Sequence, residues 1–170
     1  MKGILLTIAL IFSVAFLNAQ ESNEIDTYKI AFFSKDASGV FKEMSGTVET
    51  TKPGVPSAFN LEIDVASINT GNGIQNKHAK SAEWFNAKKF SKISFNSSEI
   101  IRNEEGTFAK GDLKIHGVTK EVTLPLEITL KDGKYFYKTK FSVKRADYNM
   151  GPKSKVSPSI KIIAALTLKK

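Results

Sequence analysis

The chain has 170 residues, no cysteine and a formal net charge of +8. That length matches one domain able to bury a core of its own, and the missing thiols exclude a disulfide framework, a lipid-modified cysteine and the soft ligands that zinc prefers. Arg102 and Arg145 are the only arginines, so the basic excess reads first as a solvated lysine surface and second as one drawn to anionic lipid headgroups, not as the clustered arginine of a nucleic-acid reader.

Lys2, the apolar stretch from Ile4 to Leu17 and the small residue Ala19 predict a secretory signal peptide over 1–19 and a mature domain over 20–170. The apolar run is shorter than the ~20 residues of a spanning helix. The expected location is therefore periplasmic or secreted.

From Asp26 the dominant period is two, the mark of strands that bury one face. Tyr28, Ile30 and Phe32 share a parity; Val40, Met44 and Val48 follow, and Pro53-Gly54 marks a turn. Phe59, Leu61, Ile63 and Val65 make the clearest half-buried strand. Between Ser67 and Phe90 the alternation stops. Ile74, His78, Ala82 and Phe85 lie four, four and three apart, which predicts one short helix or two broken turns.

Strand alternation resumes at Ile93 and Phe95. It continues through Ala109, Leu113 and Ile115, and then through Val122, Leu124, Leu126, Ile128 and Leu130. Asp132-Gly133 predicts a two-residue hairpin leading into Tyr135, Tyr137, Phe141 and Val143. After a loop over 147–158, Ile160, Ile162, Ala164, Leu166 and Leu168 form a last strand. The fold class is all-β, with about eight antiparallel strands and one short helical insertion. A sandwich fits this pattern too, but a barrel of that size leaves no exposed edges and can hold one small ligand.

Three stretches carry a family likeness. The run from Asn76 through His78, Ser81, Trp84 and Phe85 to Asn86 is the first; Gly111-Asp112-Leu113 with His116-Gly117-Val118-Thr119-Lys120 is the second; Val143-Lys144-Arg145-Ala146-Asp147-Tyr148 is the third. Together they resemble the YceI-like family over nearly the whole mature chain. The sequence departs from that pattern in having no His between Tyr28 and Lys35, and in Trp84 and Tyr148 where Phe is common. The resemblance implies an exported, lipocalin-like β-barrel that binds polyisoprenoids or other long-chain amphiphiles, with no further cofactor.

Apolar parity together with that resemblance selects a ligand-lining set: Phe32, Leu61, Ile63, Ile93, Phe95, Leu113, Ile115, Leu126, Tyr137, Phe141, Ile162 and Ala164, with Ile128 on the same face. Trp84 and Phe85 are expected to contact the chain or a membrane surface. His78 has two readings, a hydrogen bond to a ligand head at the barrel mouth or a packing contact that ties the helix to a strand. His116 reads as a turn residue. Arg145 and Asp147, two apart, would form a surface ion pair. No nucleophile, base or metal-ligand spacing occurs, so no catalytic or metal site is expected. The partner is then a long-chain apolar small molecule; a basic surface-binding protein with a filled barrel, or an enzyme with an unrecognised site, are the alternatives.

Overall fold

A computed structural model describes residues 20–151 and 156–169. The signal peptide expected over 1–19 lies outside the described residues. The strands are β1 (Glu21–Phe33), β2 (Ser38–Phe41), β3 (Met44–Lys52), β4 (Val55–Asp64), β5 (Ile68–Asn69), β6 (Lys92–Asn103), β7 (Gly106–Ile115), β8 (Val118–Pro125), β9 (Glu127–Lys131), β10 (Lys134–Lys144) and β11 (Ser159–Leu168), with one helix, α1 (Gly73–Ala79).

All ladders are antiparallel, in the order β8-β7-β6-β4-β3-β1-β11-β10-β9, with β2 and β5 off that path. The two ends of the path, β8 and β9, are consecutive stretches of one chain segment. Residues 118–125 pair with β7 and residues 127–131 pair with β10, while the Leu126 amide between them donates to Thr107 O at 2.8 Å. One segment thus gives each of its halves to a different neighbour, and the sheet curls into a barrel. Taking β8 and β9 as a single strand leaves eight on the path, the number that the alternation predicts.

Turn chemistry explains the short connections. Asp132 and Gly133 both have positive φ (51° and 73°), the mirror-image turn that matches strand twist. Gly46 in β3 has φ +133°, and a Cβ there would lie 2.0 Å from the backbone oxygen of Asn60 on β4. We expect Gly46→Ala to lower stability by about 2 kcal/mol or more, from backbone strain together with the separation that the clash forces on β3 and β4. Urea unfolding of both proteins measures it, and an unchanged midpoint would show that this ladder relaxes freely.

The helical insertion is shorter than the spacing from Ile74 to Phe85 allows. Asn72 caps α1, its side-chain oxygen accepting from Ile74 N and Gln75 N at 2.9 and 3.1 Å. The helix ends at Ala79, because the Ser81 carbonyl turns to accept from Trp84 N and Asn86 N and Asn86 takes a left-handed φ of 47°. Tight turns continue to Phe90, so the second half of the insertion is the broken-turn form. Lysines on the barrel's outer surface pair with carboxylates, as Lys110 with Glu121 and Lys138 with Glu127.

Candidate functional site

The inward parity of the strands does not fill the barrel. A cavity of about 440 Å³ remains, within the ~300–1,000 Å³ typical of small-molecule sites. Phe32, Leu61, Ile63, Ile93, Phe95, Leu113, Ile115, Tyr137, Phe141, Ile162 and Ala164 all face it, and His78, Trp84 and Phe85 border it from the insertion. Small residues account for part of the space. Ala164 stands opposite Thr139 on β10, and Ala109 stands opposite Leu124 on β8.

Leu126 corrects the parity reading. It lies off this cavity, in a shallow depression beside Thr107, Phe108, Lys138 and Lys140. At the point where the segment leaves β7 for β10, Leu126 packs against the core without lining the cavity. Ile128, beyond that point, does the same.

Several wall residues lie outside the predicted set. Phe59 shares the parity of Leu61 and Ile63, and extending that pattern by one step finds it. Thr139 stands between Tyr137 and Phe141 on the inward parity of β10, and its hydroxyl is the reason a hydropathy reading passes over it. Phe41 joins the wall to the insertion, with ring centroids 5.8 Å from Phe32 and 5.8 Å, edge-on, from Phe85.

The open end of the cavity is ringed by the β1–β2 loop, α1, the turns over 80–90 and the chain that follows β10. Its polar lining residues cluster here: Ser34, Asp36, Thr70, Gln75, His78 and Arg145. His78 Nε2 accepts from the Trp84 indole N–H at 2.7 Å. That bond stays within the insertion, so His78 ties the helix to the following turn and not to a strand. A neutral ring that accepts at Nε2 carries its proton at Nδ1, which is then its remaining donor.

Arg145 does not form the surface pair expected with Asp147. It is 6% exposed, because a single 3-10 turn over Arg145–Tyr148 follows β10 and aims the side chain under the rim. Its Nε donates to Ser157 O, Nη1 to Met150 O and Gly151 O, each at 2.8 Å, and Nη2 to Val156 O. The guanidinium carbon also lies 5.2 Å from the Trp84 ring centroid. Two further bonds close the rim, Gly151 N to Glu83 O at 2.8 Å and Ser157 N to Asp36 Oδ2 at 2.7 Å.

His116 takes a left-handed φ of 50° in the β7–β8 turn, with Nδ1 3.0 Å from Tyr148 O and its ring edge-on to Phe90 at 5.0 Å. It fastens that turn to the rim and does not face the cavity. Two polar residues line the cavity along β10, away from the rim, Tyr137 and Thr139. Burial pushes the Tyr137 hydroxyl above the ordinary phenol range, with Tyr135 adding to the effect. The arrangement as a whole can take an apolar chain out of water behind a polar rim.

A family model described as the YceI-like domain matches residues 16–168. A UPF0312 protein of Photorhabdus laumondii is 33% identical over 128 residues, covering 68% of this chain and 66% of its own length. Protein YceI of Escherichia coli is 31% identical over 91 residues, 53% of this chain and 48% of that one. The chain thus spans about half to two thirds of the length of these relatives. Among solved structures, Burkholderia cenocepacia BcnA superposes with a TM-score of 0.77 at 26% identity, covering 85% of this chain and 99% of that one. A polyisoprenoid binding domain from Saccharophagus degradans, implicated in plant cell wall breakdown, gives 0.66 at 16% identity over 86% and 97%, which speaks to the fold alone.

Proposed function

The chain belongs to the YceI-like family, and on that premise we propose that it sequesters or carries a long-chain apolar ligand inside the barrel: an isoprenoid, an isoprenoid quinone or a fatty-acid-like amphiphile. The observation that carries this reading is the 440 Å³ apolar cavity, a space that a filled structural barrel would lack. A solved relative of the same fold that is described as polyisoprenoid-binding supports it. The role is binding, not turnover.

Each CH₂ taken out of water contributes about 0.8 kcal/mol, so a dozen contribute roughly 10 kcal/mol toward the cost of immobilising the chain. Affinity should then track chain length more than head group. Export through the segment over 1–19 would place the carrier in the periplasm or outside the cell. The rim offers a loading surface, where Ile74 is 82% exposed and borders the cavity while exposed Lys77, Lys88 and Lys89 lie on the same insertion. That combination suits transient contact with anionic headgroups.

Mass spectrometry of an organic extract from protein purified without detergent tests the reading. The expected result is one long-chain species near one equivalent. Protein that carries no such species, and takes up neither isoprenoid nor fatty acid when these are added back, would sink it.

A further inference from the structure

We propose that the rings of Phe59 and Tyr137 form a floor across the barrel and set the length of chain it covers, about twelve carbons from rim to floor. The inference rests on the carrier reading above and narrows its ligand class. A chain near that length is covered whole, whereas a much longer one leaves its remainder outside the mouth.

The two rings come from opposite sides of the barrel. With β8 and β9 taken as one strand, β4 and β10 stand four steps apart in either direction round the path. Phe59 on β4 and Tyr137 on β10 nevertheless meet edge-on, with ring centroids 6.1 Å apart. A contact between opposite strands crosses the lumen, so the lumen ends at that level. Both residues are buried and both line the cavity. Beneath them the barrel is filled: the side chains of Val48 and Pro56 are fully buried, and neither borders the cavity. Tyr135, two residues below Tyr137 on β10, closes the lower end. A Cβ at Gly54, in the β3–β4 turn, would lie 2.2 Å from the Tyr135 ring, so that turn is pressed against it. Arg102 anchors the start of β4 at the same end by donating to Pro56 O.

Depth follows from the register. Val143 pairs with Ile160 at the rim and Tyr137 pairs with Leu166 at the floor, six residues apart on each strand. At ~3.3 Å per residue, on strands tilted by ~40°, that separation gives a depth of ~15 Å. An extended hydrocarbon advances ~1.25 Å per carbon, from bonds of ~1.52 Å meeting at ~111°, so about twelve carbons reach from rim to floor.

The apolar end of the ligand leads. The charged lining residues, Asp36 and Arg145, both stand at the rim, and among the described residues no charge lines the wall beneath them. A buried carboxylate or phosphate would have nothing to offset its desolvation there, so a charged head stays at the mouth.

The test titrates the full chain with saturated carboxylates from octanoate to eicosanoate, each below its solubility limit, by displacement of an environment-sensitive dye. Affinity should rise about fourfold per added carbon up to about twelve carbons, and then stay within about twofold. Phe59→Ala opens the floor and should move the break about two carbons longer, since the surroundings collapse only partly into the space of a deleted ring. Ala164→Leu fills the wall above the floor and should move it about two carbons shorter, by occupying space that ligand methylenes would take. A rise that continues unbroken to eicosanoate, or a break that either substitution fails to move, would overturn the floor while leaving the carrier reading in place. Failure of every carboxylate, and of farnesol, to bind would overturn the carrier reading itself. If Phe59→Ala does not fold, Phe59→Leu should move the break in the same direction by a smaller step, and an unmoved break in that variant would overturn the floor.

Discussion

Replacing Arg145 with methionine is expected to lower the unfolding free energy by about 3–5 kcal/mol, near the upper end of single-residue effects. The guanidinium supplies bonds to four carbonyls, at Met150, Gly151, Val156 and Ser157. Methionine fills much of the same volume but leaves these acceptors unsatisfied, at roughly 1–3 kcal/mol for each one that stays buried. Lysine should rescue little, because a point ammonium cannot reproduce the planar fork that spreads donors across two sides of the loop. Denaturant unfolding of Arg145→Met and Arg145→Lys measures both claims. A loss below about 1 kcal/mol would mean that water reaches those carbonyls and that the rim does not depend on Arg145.

The second large effect is on binding. Leu113→Trp on β7 should weaken retention of a long-chain ligand by roughly 50-fold, since the indole displaces about three ligand methylenes at ~0.8 kcal/mol each. Stability should change little or rise, because Leu113 faces open volume. In a filled barrel the same substitution would overpack the core and cost about 1–3 kcal/mol. Unfolding midpoint and ligand titration, taken together, separate the two states of the barrel. Undiminished binding in a folded Leu113→Trp protein would place the ligand elsewhere.

These two residues also mark how far the sequence could be read. Parity alone places Leu113 on the wall, because alternation is set by the pleat and each residue's side follows from its neighbour's. The same rule places Tyr137, Phe141, Ile162 and Ala164 on the wall. It fails at Leu126, where the strand changes partner, since no local pattern records which neighbour a strand leaves. It also passes over Thr139, whose parity is inward but whose hydroxyl belongs to a class usually found outside.

The spacing of two between Arg145 and Asp147 predicts a surface pair, a rule that holds only on an extended strand. The chain makes a 3-10 turn at that point, and the carbonyls that receive the guanidinium lie five to twelve residues further on. The bond from Trp84 to His78 lies within one insertion, yet spacing gave no means of choosing it over a contact to a strand.

The amino-acid order by itself determined the strand class, the helical interruption, the hairpin at Asp132-Gly133 and which side chains share a face, because each of these follows from backbone preferences and periodicity within a few residues. Only the tertiary structure decided that segment 118–131 bridges the two ends of the sheet, that a cavity remains inside and that Arg145 is buried in a cage of carbonyls. All of these depend on the distance between segments far apart in the chain, and on the volume left when they close, which no local pattern encodes.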